Sequence, residues 1–420
     1  MRRLFGTDGV RGIVGGSLTP ELVQSLGKAA ALWSDGGRVF VGRDTRGSGP
    51  ELEAAFARGV VEAGGTAVLA GVVPTPAVAL LALDLGAVIS ASHNPPEYNG
   101  VKLFDGNGRK LTDAQEEEIE ALVGAEGPGG GSILPVDVAV DSYLDHVLER
   151  FETDLSGRKL AVDCANGAYS GLAPRAFRNL GAEVVSVGDA PDGTNINVGC
   201  GATDLALLQR TVVEQGCDLG IAFDGDGDRM LAVDEHGKAV DGDQIISILA
   251  LGIPGIATVA VTVMTNLGFH RLMAEHGIRV VTTDVGDRYV LEALRREEAV
   301  LGGEQSGHVI YLVGHDTGDG LVAALLLLAC LDGGSLAEAA AAMPVYPQAK
   351  QNVRLATREL PQAVVDEAKR LNEELAGRGR VLVRPSGTEP VVRVLGEAET
   401  AEEAERLCAS IAALVTRELG

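Results

Sequence analysis

Near its start the chain contains three short apolar runs, Arg38–Asp44 (RVFVGRD), Thr66–Gly71 (TAVLAG) and Ala87–Pro95 (AVISASHNP). A stretch of helical length, Glu51–Ala63, lies between the first two runs. Short β-branched runs that alternate with longer amphipathic stretches are typical of α/β domains. In open α/β sheets, ligands bind in the loops beyond the carboxyl ends of the strands. This stretch therefore predicts an α/β domain whose polar loop after Ile89 is a candidate site.

The same layout recurs at two later places in the chain. The second block spans 159–228 and contains KLAVDCANG, a predicted helix near Leu172–Leu180, EVVSVG and DLGIAFDGDGD. The third block spans 258–308 and contains TVAVTVMTN, a predicted helix near Phe269–His276, RVVTTD and AVLGGEQSGH. Identity between the blocks is slight, but the shared layout predicts three related α/β domains.

Segments rich in glycine, proline and polar residues separate these blocks. We expect linkers at Gly124–Pro135 and Asp234–Asp243, and a change of pattern after Ala339–Gln348 to a small α+β segment. A chain of 420 residues is too long for one hydrophobic core, so several domains are expected. The predicted domains are 1–135, 136–236, 237–344 and 345–420.

Composition and charge indicate a globular protein and argue against one that binds nucleic acid. Hydrophobic residues make up 46% of the chain and charged residues 22%, which is ordinary for a globular protein and argues against disorder. The net charge of −24 argues against a nucleic-acid partner, because phosphate backbones bind basic surfaces. A small phosphorylated substrate is not excluded, since it needs only a few cations in one cleft.

The cysteines and the apolar stretches predict a cytoplasmic protein without a membrane span. The five cysteines are dispersed and form no CxxC pair, as expected of reduced thiols in a cytoplasm. The start MRRLFGTDG is interrupted by polar and glycine residues, so we expect no signal peptide. Ile245–Met264 carries no charge, but Gly252, Pro254 and Gly255 divide it, which predicts a buried helix, a turn and a strand.

The segment Asp224–Arg229 (DGDGDR) is the most specific metal signal. In an extended loop, alternate residues point the same way, so three carboxylates can converge on one hard cation. All-oxygen ligands favour magnesium or calcium over zinc. An EF-hand loop would also have an acid at its twelfth position, where Glu235 stands, but its sixth position needs glycine and this chain has Arg229. A structural acidic turn is the other alternative, at the cost of holding like charges together.

Three further loops carry polar side chains suited to chemistry. Ser92 and His93 follow the apolar run in the first block, where a nucleophile could stand, although Ser-His-Asn-Pro is also a plausible turn. The segment 302–308 (GGEQSGH) offers ligands for sugar hydroxyls, or a buried histidine and a surface glutamate. Near the end, 384–393 (RPSGTEPVVR) combines the donor types that hold a phosphate dianion, or forms a charged hairpin.

Taken together, these loops resemble those of the α-D-phosphohexomutase family over the whole chain. That resemblance implies three related α/β domains with mixed sheets and a C-terminal α+β domain, arranged around a central cleft. It implies that Ser92 carries a phosphoryl group and binds Mg²⁺ together with three aspartates. The resemblance implies catalytic roles for Lys102, His308, Arg11 and His93, beside Ser92. The implied metal ligands are Ser92, Asp224, Asp226 and Asp228, and the implied substrate-binding residues are Glu304, Ser306, Arg229, Asp287 and Arg288. The implied phosphate-binding residues are Arg384, Ser386, Gly387, Thr388 and Arg393.

Within the family, the chain is most similar to the branch that acts on glucosamine phosphates. The motifs that carry this similarity are FGTDGVRG, VPTPAV, VDCANGA, PDGTNIN, VGDRYV and GGEQSGH. Asp204 and Ser90 depart from the pattern of that branch, which more often has His and Thr there.

The implied reaction is an isomerisation of a hexosamine phosphate through a phosphoserine and a 1,6-bisphosphate. The implied partners are this small substrate, no nucleic acid and no membrane, with a monomer or a homodimer both open. A phosphomannomutase or phosphoglucomutase would share the catalytic residues. A metal-dependent sugar-phosphate phosphatase or a non-enzymatic calcium-binding module are alternatives of other classes.

Overall fold

The first sheet is built around buried, β-branched strands. In this computed structural model, which describes residues 4–6, 8–354, 360–385 and 391–419, its six strands have the order β1-β5-β4-β2-β3-β6. The strands are β1 (Val10–Ile13), β2 (Arg38–Arg43), β3 (Thr66–Val72), β4 (Leu85–Ile89), β5 (Tyr98–Asp105) and β6 (Ser132–Pro135). The helices of this part are α1 (Pro20–Trp33), α2 (Gly49–Glu62), α3 (Thr75–Leu80) and α4 (Asp113–Ala121).

Helices α1 and α2 pack backbone against backbone through glycine. A Cβ on Gly59 would lie 1.9 Å from the carbonyl oxygen of Gln24, and one on Gly27 would lie 2.3 Å from that of Phe56. Thr19 caps the N-terminus of α1 by accepting from the Leu22 amide. The close approach buries Leu26 and Phe56 in the core beneath the sheet.

The second and third sheets repeat the central topology of the first. The second has the order β11-β10-β9-β7-β8 and the third β13-β12-β14-β15. Their strands are β7 (Lys159–Asp163), β8 (Glu183–Val187), β9 (Leu219–Phe223), β10 (Met230–Asp234), β11 (Ala239–Val240), β12 (Thr258–Thr262), β13 (Arg279–Thr283), β14 (Leu301–Gly303) and β15 (Val309–Tyr311). The helices are α5 (Ala139–Arg150), α6 (Leu172–Asn179), α7 (Ala206–Gln215), α8 (Gly242–Gly252), α9 (Leu267–Glu275), α10 (Asp287–Arg296), α11 (Gly320–Leu331) and α12 (Leu336–Ala341).

Each of these three sheets contains a set of three adjacent parallel strands with an antiparallel strand beside it. The parallel trios are β3-β2-β4, β8-β7-β9 and β13-β12-β14, and the antiparallel neighbours are β5, β10 and β15. The sheets are therefore mixed, as predicted. The repeat that the sequence only hinted at is a repeat of topology.

The chain divides into two compact units. The first contains the residues up to Thr265 and 276–342; the second contains 266–275, and hence α9, together with the residues from Met343 onwards. In the second unit, a three-stranded antiparallel sheet has the order β16-β18-β17. Its elements are β16 (Gln348–Arg354), α13 (Gln362–Leu375), β17 (Gly379–Pro385), β18 (Val391–Ala398) and α14 (Ala401–Leu419). The predicted fold class, α/β blocks with mixed sheets and a C-terminal α+β segment, is confirmed.

The structure overturns one prediction about local structure in part and agrees with another. The predicted linker Gly124–Pro135 is wrong in its last part, because Ser132–Pro135 forms strand β6 and pairs in parallel with β3. The segment Ile245–Met264 does form a buried helix and a strand, α8 and β12. Across the described part of the chain, none of the helices combines the length and the apolar character that a membrane crossing needs.

Candidate active site

Three loops occupy the same position in the three related sheets. Each joins the last parallel strand to its antiparallel neighbour: 90–97 between β4 and β5, 224–229 between β9 and β10, and 304–308 between β14 and β15. They carry the predicted serine, the predicted metal-binding aspartates and the predicted sugar-binding residues. Since β9 and β10 are strands, the helix–loop–helix of an EF-hand is excluded for the aspartate loop.

Ser92 is buried and has an uncommon backbone conformation. The φ of Ser92 is 52°, in the left-handed region that serine seldom adopts, and only 1% of its surface is exposed. The Ser92 hydroxyl donates a 2.6 Å hydrogen bond to Oδ2 of Asp224, and Nδ1 of His93 lies 3.3 Å from the same Oγ. A strained residue whose hydroxyl contacts a carboxylate of another sheet indicates a functional position.

A fully buried arginine that the sequence analysis did not single out holds this loop. Nη2 of Arg46 donates to the carbonyl oxygens of Ser92 at 2.9 Å and Asn94 at 2.7 Å. Nη1 donates to Tyr98 O at 3.0 Å and to Pro95 O, and Nε donates to Asp44 Oδ2 at 2.9 Å. Every nitrogen of the guanidinium is thus used to fix the backbone around Ser92.

Asp44 and Asn197 complete this support. Asp44 Oδ2 also accepts from Ser90 Oγ at 2.6 Å, and Ser90 Oγ in turn accepts from the Ser92 amide at 2.9 Å. Nδ2 of Asn197, from the second block, donates to Ser92 O at 2.9 Å and Asn94 O at 3.1 Å. The one signal in the sequence was position: Asp44 and Arg46 follow the carboxyl end of a buried strand.

The three aspartates of the 224–229 loop converge. Asp224, Asp226 and Asp228 are buried, and each offers a ligand atom within 4.8 Å of the others. Asp224 Oδ1 accepts from the amides of Gly227 and Arg229 at 3.1 and 3.2 Å, which wraps the loop around its carboxylate. Burial and the neighbouring carboxylates Asp228 and Asp226 raise the pKa of Asp224 to about 8.

This donor set fits a hard divalent cation. Oδ1 of Asp226 is buried and has no hydrogen-bond partner among the described residues, and Oδ1 of Asp228 has only longer contacts, 3.6 Å to His308 Nδ1 and 3.8 Å to Arg229 Nε. Buried carboxylate oxygens without partners are costly, and coordination of a metal relieves that cost. Oxygen ligands alone suit magnesium or calcium. The structure therefore has an acidic triad that could bind a metal.

Lys102 and Thr75 contact the Oδ2 atoms of the triad, Lys102 those of Asp226 and Asp228 and Thr75 that of Asp226. Nζ of Lys102 lies 2.7 Å from Asp226 Oδ2, 3.0 Å from Asp228 Oδ2 and 3.2 Å from Asp8 Oδ2. Burial alone would lower the pKa of Lys102, but these three carboxylates raise it well above its usual range. Thr75 donates to Asp226 Oδ2 at 2.7 Å and its amide donates to Asp226 O. Lys102 is therefore a fixed ammonium beside the triad.

A chain of ion pairs continues from the triad to the third block. His308 lies with Nδ1 3.6 Å from Asp228 Oδ1 and Nε2 3.3 Å from Asp287 Oδ2. Asp287 pairs with Lys110, and Lys110 lies 2.7 Å from Asp8 Oδ1. Burial would lower the pKa of His308, but Asp287 and Asp228 raise it above its usual value. Lys110 and Asp8, which complete this chain of ion pairs, were not predicted from the sequence.

Arg11 lies against the loop 90–97 that carries Ser92, and His93 is part of that loop. Arg11 pairs with Asp8, and its Nη1 donates to Asn94 Oδ1 at 3.2 Å. Burial, followed by the positive charges of Arg229 and Arg11, lowers the pKa of His93 to about 4. The imidazole beside Ser92 Oγ is therefore neutral at pH 7.

The sugar-binding prediction falls on a loop that faces the aspartate loop. Glu304 Oε1 accepts from the Gly286 amide at 3.0 Å, and Ser306 Oγ lies 3.4 Å from Glu304 Oε2. Arg229 Nε is 3.8 Å from Asp228 Oδ1. Burial would lower the pKa of Arg229, but Asp228, Asp224 and Glu304 raise it. The Arg229 guanidinium is therefore charged, and it interacts with carboxylates of both loops.

Arg288 lines a small cavity together with Asp8, Lys102 and Lys110 of this cluster. Arg288 is buried with its Nη1 3.0 Å from Leu111 O, 2.6 Å from Asp113 Oδ1 and 3.4 Å from Glu116 Oε2, contacts that tie α10 to α4. In the second unit, Arg384 on β17 and Arg393 on β18 are directly opposite partners. The predicted phosphate-binding residues Ser386, Gly387 and Thr388 lie outside the described residues.

Four domain models of one family match successive parts of the chain. The models of phosphoglucomutase/phosphomannomutase α/β/α domains I, II and III match residues 2–128, 141–237 and 241–346, and that of the C-terminal domain matches 350–414. The phosphoglucosamine mutase of Moorella thermoacetica is 49% identical, over 98% of this chain and 98% of its own. The chain belongs to the phosphoglucomutase/phosphomannomutase family.

Other members of the phosphoglucomutase/phosphomannomutase family agree with this assignment. The phosphoglucosamine mutase of Carboxydothermus hydrogenoformans is 46% identical over 99% of this chain and 100% of its own. The crystal structure of a phosphoglucomutase/phosphomannomutase family protein from Burkholderia thailandensis superposes with a TM-score of 0.84 at 26% identity, over 100% of this chain and 99% of that one. The resemblance to phosphohexomutases and the prediction of an isomerase are thereby confirmed.

Proposed function

We propose that this chain interconverts glucosamine 6-phosphate and glucosamine 1-phosphate through a phosphoserine at Ser92 and a 1,6-bisphosphate intermediate. The observation that carries this proposal is the 2.6 Å contact of the strained Ser92 hydroxyl with a buried aspartate triad contributed by a different sheet. The amino sugar is favoured because relatives that match nearly the whole chain at 46–49% identity are phosphoglucosamine mutases.

In the proposed reaction, the free hydroxyl of the sugar phosphate attacks the phosphorus of phosphorylated Ser92. The bond between phosphorus and Ser92 Oγ breaks, a bond from phosphorus to the sugar oxygen forms, and the sugar's hydroxyl proton ends on Ser92 Oγ. The bound bisphosphate then reorients in the site. Ser92 Oγ takes a phosphoryl group from the sugar's other phosphate, and the serine proton passes to the sugar oxygen that is released. No phosphate is lost, because both steps are transfers.

The residues around Ser92 position and stabilise the transferring group. Lys102, Arg11 and Arg229 are cations whose charges offset those of a phosphoryl group, and catalysis of phosphoryl transfer depends mainly on positioning and electrostatics. Because Lys102 is held as an ammonium by three carboxylates, we assign it to charge stabilisation. His93, neutral and 3.3 Å from Oγ, and His308 are the imidazoles available for proton transfer.

Asp224, Asp226 and Asp228 would hold Mg²⁺ together with the oxygen of Ser92. A bound Mg²⁺ supplies positive charge to the oxygens of the transferring group. The unpartnered Asp226 Oδ1, the convergence of the three carboxylates and the raised pKa of Asp224 support this role.

Sugar and distal phosphate are assigned to the remaining loops. Glu304 and Ser306 would bind sugar hydroxyls, with Asp287 orienting His308 beside them. Arg384 and Arg393, which are opposite each other on β17 and β18, would bind the distal phosphate with Ser386, Gly387 and Thr388, because guanidinium groups bind phosphate oxygens. The four proposed domains remain 1–135, 136–236, 237–344 and 345–420. The five cysteines are free, which supports a reducing compartment such as the cytoplasm.

The sugar preference is tested by comparing kcat/KM for glucosamine, glucose and mannose 6-phosphates, each with Mg²⁺ and a bisphosphate primer. The proposal predicts the highest value for the glucosamine compound. A higher value for glucose or mannose would replace the proposed substrate, while release of one inorganic phosphate per substrate would indicate a phosphatase. Intact mass of the wild type should include a phosphate that Ser92→Ala lacks and the exposed-site control Ser156→Ala retains.

A further inference from the structure

The aspartate loop 224–229 accepts backbone hydrogen bonds from three different parts of the chain. The carbonyl oxygens of residues 225–227 accept, in order, from the amides of Ala168 at 2.9 Å, Thr75 at 2.8 Å and Gly320 at 3.0 Å. Ala168 follows β7 in the second block, Thr75 begins α3 in the first block and Gly320 begins α11 after the third. Because successive peptides of the loop are held by different segments, residues outside the loop determine where its carboxylates lie.

A buried tyrosine packs against Gly227, which lies between Asp226 and Asp228. The φ of Gly227 is 82°, and a Cβ on it would lie 2.4 Å from Cε2 of Tyr169, so the tyrosine ring directly contacts the backbone of the loop. The same ring lies against Phe223, the last residue of β9, with 4.6 Å between the ring centroids. The Tyr169 ring therefore limits where the peptide between two of the proposed metal ligands can lie.

Asp319, at the start of α11, holds this tyrosine in place. The Tyr169 hydroxyl donates to Oδ1 of Asp319 at 2.8 Å, and the same oxygen accepts from two amides in the first turn of α11, at 2.8 and 3.1 Å. Asp319 thereby caps the helix, whose first amide, that of Gly320, donates to the loop. A Cβ on Gly320 would lie 2.7 Å from the carbonyl oxygen of Arg229, so the helix start also packs closely on the loop.

We propose that Tyr169 and Asp319 are positioning residues for the metal ion, which set the spacing of the Asp226 and Asp228 carboxylates through Gly227. This inference rests on the Mg²⁺ role that the proposed function gives to the aspartate triad. Within the described part of the chain, neither side chain makes a hydrogen bond or an ion pair with the triad, so their effect passes through the backbone of the loop. Replacement of residues that support metal ligands from outside changes metal affinity by about 10–100-fold.

Tyr143 on α5 provides a matched control for Tyr169. Both tyrosines are fully buried, their hydroxyl oxygens lie 2.7 Å apart, and the Tyr143 hydroxyl donates to Oδ2 of Asp319 at 2.8 Å. The three atoms nearest to a Cβ on Gly227 all belong to Tyr169. Tyr143→Leu and Tyr169→Leu therefore remove the same groups and one bond to Asp319 each, and the second also removes the ring that contacts the loop.

Binding of Mn²⁺ to the full chain without substrate measures the metal site apart from the reaction. Mn²⁺ takes the same oxygen ligands as Mg²⁺, and the EPR signal of the free ion gives the Kd. Asp226→Asn, which removes a proposed ligand, identifies the binding that belongs to the triad. Tyr169→Leu should raise the Kd of that binding about 10-fold or more. Tyr143→Leu, with a similar loss of stability in urea, should leave the Kd within about 2-fold of the wild type.

The corresponding phenylalanine variants test the link through Asp319 and serve if Tyr169→Leu does not fold. Tyr169→Phe keeps the ring and loses its bond to Asp319, so it should raise the Kd by about 3-fold, whereas Tyr143→Phe should not. Folded Tyr169 variants that bind Mn²⁺ as tightly as the matching Tyr143 variants would overturn the positioning role and leave the metal site intact. Binding that Asp226→Asn does not weaken would refute the metal site itself, and this proposal with it.

Discussion

Replacement of Arg46 by lysine should damage the reaction without touching the substrate. Arg46 is fully buried and its side chain makes five donor contacts, three to backbone carbonyls of the loop 90–97, one to that of Tyr98 at the start of β5 and one to Asp44. A lysine ammonium has three N–H groups at one point and cannot reach acceptors that are spread around a planar fork. At least two of the five contacts are therefore lost, and buried carbonyl groups are left without partners.

The structure sets the size of the effect. Each lost hydrogen bond costs about 1 kcal/mol net, and each buried group left unsatisfied costs about 1–3 kcal/mol, so Arg46→Lys should lower the free energy of unfolding by about 2–4 kcal/mol. Ser92 at φ 52° should relax toward an ordinary conformation once its carbonyl is released. A displacement of about 1 Å of a reacting group costs about 100-fold in rate, so kcat should fall by that order with KM nearly unchanged.

The assay combines urea unfolding with steady-state kinetics on glucosamine 6-phosphate. Arg43→Lys is the matched control. Arg43 is the last residue of β2, three residues before Arg46, but it pairs with Glu53 and contacts none of the carbonyls around Ser92 in the described structure. It should cost less than about 1 kcal/mol and leave kcat within a few-fold. A folded Arg46→Lys chain whose kcat equals that of Arg43→Lys would refute the proposed positioning of Ser92 by Arg46.

Three other changes give measurable results. Thr75→Val removes the 2.7 Å bond to Asp226, so it should lower the free energy of unfolding by about 1–2 kcal/mol and raise the Mg²⁺ concentration for half-maximal rate. Gly227→Ala should cost about 2–4 kcal/mol, because Gly227 has φ 82° and the new Cβ would lie 2.4 Å from the Tyr169 ring. Burial raises the pKa of Asp163 to about 6, so its contribution to stability is full below about pH 4 and is lost as pH rises through 6. The difference in urea stability between wild type and Asp163→Asn should therefore change over pH 4–6.

Matched controls separate these effects from general damage. Thr194→Val removes an exposed hydroxyl that bonds only to Asp192 among described partners, and it should leave the Mg²⁺ dependence unchanged. Gly237→Ala has the same φ of 82°, and its Cβ would lie 2.9 Å from Cγ2 of the exposed Val213, which can move, and 3.4 Å from the Gln209 carbonyl, so it should cost about 1 kcal/mol. If Gly237→Ala and Gly227→Ala are equally destabilising, the Tyr169 contact is not the cause. If stability of Asp163→Asn and wild type runs parallel from pH 4 to 6, burial does not raise that pKa.

The sequence predicted the parts of the site whose chemistry is local. The Asp-Gly-Asp-Gly-Asp run carries its own spacing, and buried β-branched runs identify the strands on either side of it. The convergence of Ser92 on Asp224, 132 residues apart, was expected only through the resemblance. The three-fold repeat was visible as a layout of runs, while the shared strand order appeared only in the sheets.

The missed residues act through contacts that are distant in sequence. Arg46 looks like a surface charge in a turn-forming segment, and its burial depends on carbonyl groups about 50 residues later. Asp8 and Lys110 have no distinguishing pattern in the sequence. They become part of the site because pairing of β1 with β5 places Asp8 next to Lys102, and Lys110 pairs with Asp8. Arg288 was assigned to substrate through the resemblance alone, and that assignment stays a prediction; its contacts in the structure join α10 to α4. Ser132–Pro135 was expected as linker because glycine and proline precede it, and pairing with β3 makes it a strand.

Transfer of a labelled phosphoryl group from Ser92 tests the central claim most directly. The chain is phosphorylated with ³²P from a labelled hexose bisphosphate, freed of small molecules, and mixed with glucosamine 6-phosphate and Mg²⁺. The account predicts that label leaves the protein and appears in the hexosamine phosphates, with none in inorganic phosphate, and that Ser92→Ala never takes up label. Label that stays on the protein during turnover, or that leaves as inorganic phosphate, would contradict a phosphoserine mutase.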